Sequence, residues 1–416
     1  MNNVGNKPLA IVMGRNYTTR LTLVRAAGMA GCDVAVIRTS VGSMFFKPVD
    51  ERSKYVVETR TISENDNDLI ENILSFKREN EKVLLLPADD YTAGTIDMHM
   101  NDLEIDFVLP HVNHSQGAVV RLMDKNFQKE LARKVGLNVA KGWIADYVGD
   151  KYAIPNDIVF PCFVKPNESL KGHWKNLMRK CDNIDELQDS LSAYAEVYHA
   201  QVLIEEFREI DNEYGVQGVS FDSHAVFPSI VCKSECREGL TATGNLLPID
   251  GFPELRDKLR KFLVQIHFTG VFDMDLYVSN GKWFFNELNV RLGANGFALT
   301  YGVYNVPGIF IRYMINSEEP SFVCPRDFKP ISFASENVLR NMYFDRMISH
   351  KQYKEYLRSA DVLSIPFQGD NEPWKEFQKT EWFLPLYMCM KAAKKVLYYN
   401  VLAYLRQLKS KKNVDN

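Results

Sequence analysis

The chain has 416 residues, of which 46% are hydrophobic and 25% charged. This is an ordinary composition for a folded protein, and it excludes a disordered tail, a collagen-like repeat and a small disulfide-rich domain. The length predicts about two to four compact units. Fifty basic and 53 acidic residues leave a formal net charge of -3, so no overall positive field would recruit nucleic acid, and we expect no nucleic-acid partner.

The cysteines and the N-terminus bear on the cellular compartment. The seven cysteines are scattered and contain no C-x-x-C pair, which favours reduced thiols over disulfides or a zinc knuckle. The first residues, MNNVGNK, lack the basic-then-apolar pattern of a secretory signal peptide. No window approaches the roughly 20 apolar residues of a membrane span. We therefore expect a cytoplasmic protein.

Residues 1–118 predict a small parallel α/β unit. Short apolar runs alternate with helical patterns, as is typical of strands covered on both faces. These runs lie at residues 9–13, 34–37, 83–86 and 107–109.

Two strand ends in this unit are candidates for ligand binding. The turn Gly14-Arg15-Asn16-Tyr17 has one glycine where dinucleotide-binding enzymes carry G-x-G-x-x-G, so it favours a plain strand-to-helix turn and disfavours an oxidoreductase. Asp89 and Asp90 follow a predicted strand at its carboxyl end, where ligands often bind. A solvated loop explains these two aspartates equally well.

Charged residues also stand at the ends of elements in the middle of the chain. A helix is predicted from about Ala118 to Gly136, and it carries Lys125. The apolar strand Phe160–Pro166 delivers Lys165 at its end, and the run Val202-Leu203-Ile204 leads into Glu205-Glu206-Phe207. Further strands are predicted at 213–219 and 225–231.

Residues 270–291 predict a β-hairpin around Ser279-Asn280-Gly281. The apolar residues of both strands are even-numbered and must share the core face, which predicts a three-residue loop with Gly281 in the left-handed conformation. The opposite face then carries Asp273, Asp275, Glu287, Asn289 and Arg291.

Three carboxylates on one half-buried sheet face would repel one another and destabilise the fold. A magnesium ion resolves this repulsion, because Mg²⁺ binds carboxylate and amide oxygens and fills its remaining positions with water or phosphate oxygens. The alternative is a solvated face neutralised by lysines.

Together, these segments resemble the motifs of ATP-grasp enzymes in order and spacing. The resemblance covers residues 120–296 and is carried by Lys125, Lys165, Glu205-Glu206-Phe207, Asp275 and Glu287-Leu288-Asn289-Val290-Arg291. Within that superfamily, the chain is similar to the carboxylate–amine ligases of the D-aspartate ligase type.

The resemblance implies a fold of the α/β and α+β classes. It implies an N-terminal Rossmann-like pre-ATP-grasp domain at 1–118 and an ATP-grasp domain at 119–328. The latter divides into a lid at about 140–208 and a metal-binding lobe at about 209–328. A helical C-terminal extension at 329–416 completes the predicted organisation.

The implied activity is ligation through an acylphosphate, with ATP and Mg²⁺ as cofactors and a small carboxylate and an amine as substrates. Lys125 and Lys165 would contact the phosphates, and Lys233 the γ-phosphate, although each of Lys125 and Lys233 also fits an ordinary surface lysine. Arg291 would meet the substrate carboxylate or the acylphosphate, and with Lys165 it forms the predicted catalytic pair.

The remaining roles concern the nucleotide and the metal. The segment Glu205-Glu206-Phe207 is the predicted hinge that binds the adenine. Glu213 would accept hydrogen bonds from the ribose hydroxyls. A charged surface loop is the alternative for these acids. The implied magnesium ligands are Asp275, Glu287 and Asn289, with Asp273 on the same face as an outer ligand or a substrate group.

Two segments depart from the family pattern or extend beyond it. The loop at 167–174 has one glycine where many members wrap the phosphates with small residues, so either it closes less tightly or Lys171 and His173 replace backbone contacts. Residues 384–408 predict a helix with a basic face, formed by Lys391, Lys394, Lys395, Arg406 and the adjoining Lys409. This helix would lie on an anionic inner membrane surface, dock a partner, or pack on its own domain.

The leading hypothesis is therefore an ATP- and Mg²⁺-dependent carboxylate–amine ligase, acting on an amino acid or a cell-envelope precursor. Phosphoryl transfer without ligation is one alternative, and a nucleotide-binding scaffold with weak catalysis is another. The sequence names neither substrate.

Overall fold

The computed structural model describes residues 7–39, 48–79, 81–168, 177–237, 239–320 and 328–380. Their strands form three main sheets and two short ribbons. Most of the predicted phosphate-covering loop, including Lys171 and His173, and the predicted basic helix at 384–408 lie outside the described residues. Among the described helices, none has the length and apolar character needed to cross a bilayer.

The N-terminal unit is a parallel sheet with helices on both faces. Its strands are β1 (Leu9–Gly14), β2 (Asp33–Arg38), β3 (Val56–Thr61), β4 (Val83–Pro87) and β5 (Phe107–Val108), in the order β3-β2-β1-β4-β5. The connecting helices are α1 (Tyr17–Met29), α2 (Asp66–Leu74), α3 (Asp90–Met98) and α4 (Met100–Leu103). Every residue of β1 and β4 is buried, which explains their unbroken apolar sequences.

The helix predicted from Ala118 to Gly136 is two helices, which corrects that prediction. After the short strand β6 (His111–Val112) come α5 (Ala118–Leu122) and α6 (Lys125–Lys134). Asp124 separates them, because its side chain accepts a hydrogen bond of 2.8 Å from the backbone N–H of Phe127 and so caps α6. Lys125 is therefore the first residue of a helix.

A four-stranded antiparallel sheet lies within the segment predicted as the lid. Its region contains β7 (Gly142–Ala145), the ribbon β8 (Tyr147–Val148) with β9 (Lys151–Tyr152), β10 (Cys162–Pro166), β11 (Arg179–Cys181), α7 (Ile184–Ala195) and β12 (Val202–Glu206). The strand order is β11-β10-β12-β7. Leu187, Leu191 and Tyr194 of α7 belong to the core that covers one face of this sheet.

The largest sheet has nine strands and contains the candidate site. Its path is β20-β19-β13-β15-β18-β21-β22, with β14 added to β13 and β6 added to β19. The strands are β13 (Asn212–Ser220), β14 (Ala225–Val226), β15 (Ser229–Lys233), β18 (Thr243–Pro248), β19 (Phe268–Ser279), β20 (Lys282–Asn289), β21 (Ile331–Ala334) and β22 (Val362–Leu363). The predicted strand at 225–231 is thus two strands, β14 and β15, broken at Phe227-Pro228.

The rest of this region is a ribbon and five helices. The ribbon is β16 (Cys236–Arg237) with β17 (Leu240–Thr241). The helices are α8 (Pro253–Gln265), α9 (Gly296–Gly302), α10 (Val306–Asn316), α11 (Glu336–Phe344) and α12 (His350–Ser359). Phe262 of α8 packs with Phe272, Met274 and Phe285 in the core beneath the large sheet.

The β19–β20 hairpin corrects the predicted loop length. Ser279 pairs with Lys282, so the loop is the two residues Asn280 and Gly281, both with positive φ (50° and 69°), as in a type I′ turn. A β-bulge changes the register between Asp275 and Leu276, where Asn286 is the extra residue of β20. The prediction of a three-residue loop was wrong because the bulge interrupts the alternation of the two faces along β20.

The last described segment, 328–380, is anchored to the N-terminal unit. Asp370 accepts a salt bridge of 2.8 Å from Arg25 of α1, and both side chains are fully buried. Asp370 also accepts hydrogen bonds from Ser53 Oγ and from the backbone N–H of Lys54. These contacts join the two ends of the described chain.

Candidate active site

Two lysines predicted as phosphate ligands lie in one buried cluster with carboxylates. Lys165, at the end of β10, donates to Glu205 of β12 at 2.8 Å and to Asn286 Oδ1 at 3.1 Å. Lys125 forms a salt bridge of 3.5 Å with Glu287 of β20. The cluster therefore joins the four-stranded sheet, which carries Lys165 and Glu205, to the nine-stranded sheet, which carries Glu287.

The predicted magnesium ligands are neighbours across the hairpin. Asp275 lies directly opposite Glu287, and Asp273 lies directly opposite Asn289. Arg291 follows on the same face and donates to Asn289 Oδ1 at 3.1 Å. The structure thus brings together all five polar side chains that the sequence assigns to this face.

Cations already neutralise this acidic face. Lys233 donates to Asp275 Oδ1 at 2.5 Å, and Lys125 lies beside Glu287. In the described ranges, no three His, Cys, Asp or Glu side chains form a self-contained metal centre. Two carboxylates and one amide oxygen nevertheless fit Mg²⁺, which commonly completes its shell with substrate phosphate oxygens.

The ionisable groups of the site perturb one another strongly. Burial would raise the pKa of Glu287, but Lys125, Lys165 and Arg291 outweigh it and hold that pKa near about 2. Burial lowers the pKa of Lys165 to about 8. Glu287 is therefore an anion at neutral pH, as a metal ligand must be.

The pKa values of Lys233 and Asp273 are also shifted by the charges on this sheet face. Burial would lower the pKa of Lys233, but Asp275 and Asp273 raise it above its ordinary value. Burial and the neighbouring Asp275 raise the pKa of Asp273 to about 7. Asp273 is the more buried of the two aspartates, and Lys233 is bound to Asp275.

The predicted hinge residues point in different directions. Glu205 faces inward and is held between Lys165 and Lys129. Glu206 faces the other side, where it accepts from the backbone N–H of Lys141 and from Arg208. The backbone N–H of Phe207 donates to Pro161, which fixes the end of β12.

Glu213 and Arg291 lie at opposite ends of the sheet face that carries Asp273, Asp275 and Tyr277, which we call the cleft face. Glu213 is exposed at the start of β13, opposite Tyr277 of β19. Arg291 forms a salt bridge of 2.9 Å with Asp90 of the N-terminal unit. Asp90, for which a solvated loop stood as the alternative, is thus directed at the site. Charge compensation by Asp90 and Asp273 keeps the pKa of Arg291 above its ordinary value despite burial.

Sequence reasoning missed an aromatic pair beside the hinge. The bulge at Asn286 turns Phe284 to the face of Asp275 and Glu287, and sends Phe285 into the core. The rings of Phe284 and Tyr277 stack at 5.2 Å with an interplanar angle of 7°, and the Arg208 guanidinium lies 4.5 Å from the centre of the Phe284 ring. An apolar platform therefore adjoins the hinge.

Two buried polar residues, Lys129 and Gln217, were missed as well. Lys129, one turn after Lys125 on α6, bonds Glu205. Gln217 of β13 lies opposite Asp273 and donates to Asn295. The i, i+4 spacing of Lys125 and Lys129 is a signal that could have identified Lys129. No local pattern marks Gln217, because its position depends on strand pairing.

A scan of protein families matches residues 124–307 to the family described as carbamoyl-phosphate synthase L chain, ATP binding domain. Among curated proteins, the chain is 24% identical over 275 residues to a formate-dependent phosphoribosylglycinamide formyltransferase of Saccharolobus solfataricus. The match covers 63% of this chain and 67% of that protein.

Solved structures share the fold. An L-amino acid ligase from Bacillus licheniformis matches with a TM-score of 0.57 and 13% identity, covering 79% of this chain and 80% of that one. The biotin carboxylase domain of Hydrogenobacter thermophilus 2-oxoglutarate carboxylase, solved with ADP, magnesium-ADP and bicarbonate, matches with a TM-score of 0.58 and 16% identity. That match covers 79% of this chain and 74% of the domain.

The chain therefore has the ATP-grasp fold, and the resemblance predicted from its sequence is confirmed. The match to an ATP-binding domain and the shared fold bear out the prediction of an ATP-grasp enzyme, and the neighbour from Hydrogenobacter thermophilus was solved with magnesium-ADP. The domain boundaries and the roles of individual site residues stay predictions.

Proposed function

We propose that this ATP-grasp protein is an ATP- and Mg²⁺-dependent ligase that joins a small carboxylate to an amine through an acylphosphate. One observation carries the proposal. Phosphate-binding cations, the oxygen ligands Asp275, Glu287 and Asn289, and the Arg291 guanidinium converge on one face between two sheets. These are the groups that phosphoryl transfer to a carboxylate requires.

The first step forms the acylphosphate. A carboxylate oxygen attacks the γ-phosphorus, and ADP leaves. The charges of Lys125, Lys165 and Lys233 would offset those of the phosphate chain, and Glu205 holds Lys165 in place at 2.8 Å. Asp275, Glu287 and Asn289 would hold Mg²⁺, which would act as a Lewis acid and stabilise the negative charge of the transferring phosphoryl group.

Arg291 is suited to orient the acid. Its guanidinium is held by Asp90 and by Asn289, so a planar, permanently charged group has a fixed position beside the proposed metal ligands. In the second step the amine nitrogen attacks the acyl carbon. The new C–N bond replaces the C–O bond to phosphate, and inorganic phosphate and a proton are released.

The nucleotide base would lie against the hinge. The stacked pair Tyr277 and Phe284 offers an apolar surface on the metal-binding lobe, next to Glu206 and Arg208. Glu213 stands at the exposed start of β13, on the strand beside Tyr277, where it would meet the ribose. This arrangement supports the predicted roles of Glu206, Phe207 and Glu213.

We also propose that the protein is located in the cytoplasm. Use of ATP and five free cysteines among the described residues favour the cytoplasm. Contact with a membrane or a protein through the segment at 384–408 remains a prediction.

The test is ADP release by the purified protein with Mg-ATP and panels of amino acids, dicarboxylates and amines, offered singly and in pairs. Turnover that requires both an acid and an amine is expected. If the acid alone gave a stable phosphorylated product, the activity would be phosphoryl transfer and not ligation. ATP binding without turnover for any pair would favour the scaffold.

A further inference from the structure

Three buried polar side chains meet beyond the metal-binding pair, at the end of the cleft near Arg291. Gln217 of β13, Asp273 of β19 and Asn295 before α9 are 2%, 8% and 6% exposed. Gln217 lies opposite Asp273 in the sheet, and its amide nitrogen donates to Asn295 Oδ1. Gly293 closes the group, since a Cβ there would overlap both Asp273 Oδ2 and Gln217 Nε2.

The group has acceptor capacity that the described residues do not use. Gln217 Oε1 is buried without a hydrogen-bond partner among them. A buried acceptor without a hydrogen bond destabilises the folded protein, and a ligand that donates a hydrogen bond to it would remove this penalty. Gln217 Nε2 and Asp273 Oδ2 both lie next to Gly293, so the amide that carries this free oxygen and the Asp273 carboxylate are neighbours.

The neighbouring cations are engaged elsewhere. Lys233 is bound to Asp275, and Arg291 is bound to Asp90 and Asn289. Within the described ranges, Asp273 has no salt bridge of its own. A buried carboxylate and a buried amide oxygen in neighbouring side chains match a ligand with N–H donors and a positive charge.

We propose that Asp273 and Gln217 Oε1 bind the amino group of the second substrate, and that this substrate is a primary amine. This inference rests on the proposed ligase function and specifies its acceptor. Asp273 and Asp275 are two residues apart on one strand face, about 7 Å along the strand. Arg291 lies on that face too, so an amine at Asp273 stands beside the acid that Arg291 orients.

Hydroxylamine provides a test that separates the two steps. It is a small nucleophile that traps an acylphosphate as a hydroxamate, and it lacks the carbon chain that a built amine site would position. We would measure hydroxamate formation with Mg-ATP and a panel of amino acids and dicarboxylates. Amide formation would then be measured with the same acids and a panel of primary amines, amino acids and diamines.

Replacing Asp273→Asn should leave hydroxamate formation within about threefold and raise the KM for the amine about 10- to 100-fold, as expected for loss of a charge-assisted hydrogen bond. Gln217→Met is the second variant, and it should raise the same KM by a smaller factor. Asp257→Asn, an exposed acid on α8, is the matched control and should change neither reaction.

Four results would overturn the inference. An unchanged amine KM in both folded variants would remove the group from the amine site. Equal loss of hydroxamate and amide in Asp273→Asn, with a higher Mg²⁺ requirement, would make Asp273 a metal ligand. Hydroxamate without any response to primary amines would exclude this substrate class. Absence of hydroxamate from every acid would overturn the proposed function itself, and the inference with it.

Discussion

Asp275 lies directly opposite Glu287 in the β19–β20 hairpin, and the β-bulge follows immediately after this pair. The pair places two carboxylates side by side at the base of the cleft. The bulge then reverses the parity of β20, so that Phe284 joins Tyr277 on the cleft face while Phe285 enters the core. One irregularity thus places the proposed metal ligands and the aromatic pair on a single face of the sheet.

Glu287→Gln should abolish turnover while the protein stays folded. The change removes one charge from the proposed metal site and little volume, and the surrounding lysines can still pack against the amide. ADP release and a thermal melt would be measured together. Glu254→Gln, on the exposed face of α8, is the control and should keep full activity. Activity retained in Glu287→Gln would contradict the metal-site assignment.

Substitutions of the neighbours Phe284 and Phe285 should have different effects, one on ATP binding and the other on stability. Phe284→Leu should raise the KM for ATP about tenfold, because a stacking surface is lost beside the hinge. Phe285→Leu should instead lower the free energy of unfolding by about 1–2 kcal/mol and leave the KM nearly unchanged. Steady-state kinetics and urea unfolding of both variants would check this. The opposite pattern would show that the bulge is misplaced.

Much of this site was predictable because its residues stand at fixed offsets in short motifs. Lys125, Lys165 and the Glu287-to-Arg291 alternation are local patterns, and period-two alternation alone places Asp273 and Asp275 on one face. The bulge at Asn286, the break before Lys125 and the pairing of Gln217 with Asp273 were not predicted. Each depends on a cap or on strand register that is settled by packing across the molecule.

Asp370→Asn should lower the free energy of unfolding by about 3–5 kcal/mol. The substitution leaves the fully buried Arg25 guanidinium without its counter-charge. Urea unfolding would measure the loss, and Glu372→Gln in the exposed pair with Lys375 would serve as the control with little change. Equal stability of the two variants would show that segment 328–380 does not anchor to the N-terminal unit.

His111 should make stability depend on pH between about 6.5 and 4. Burial and the adjacent His114 lower the pKa of His111 to about 4, whereas an unfolded histidine titrates near 6.5. The unfolded chain therefore binds more protons in this window, and stability falls as the pH falls. The expected loss is about 1–2 kcal/mol, reduced by partial exposure.

Urea unfolding at pH 7 and pH 4.5 would measure that loss in the parent protein and in His111→Asn. The variant should lose less stability between the two pH values. An identical pH dependence would assign the effect to other groups.

The transfer of an oxygen atom from the acid to phosphate tests the acylphosphate most directly. The acid that supports turnover would be labelled with ¹⁸O in its carboxylate and supplied with Mg-ATP and the amine. Mass spectrometry of the released inorganic phosphate should find one labelled oxygen per phosphate, because the carboxylate oxygen that attacks the γ-phosphorus leaves with it. Unlabelled phosphate would show that the acid is never phosphorylated and would contradict the proposed ligase mechanism.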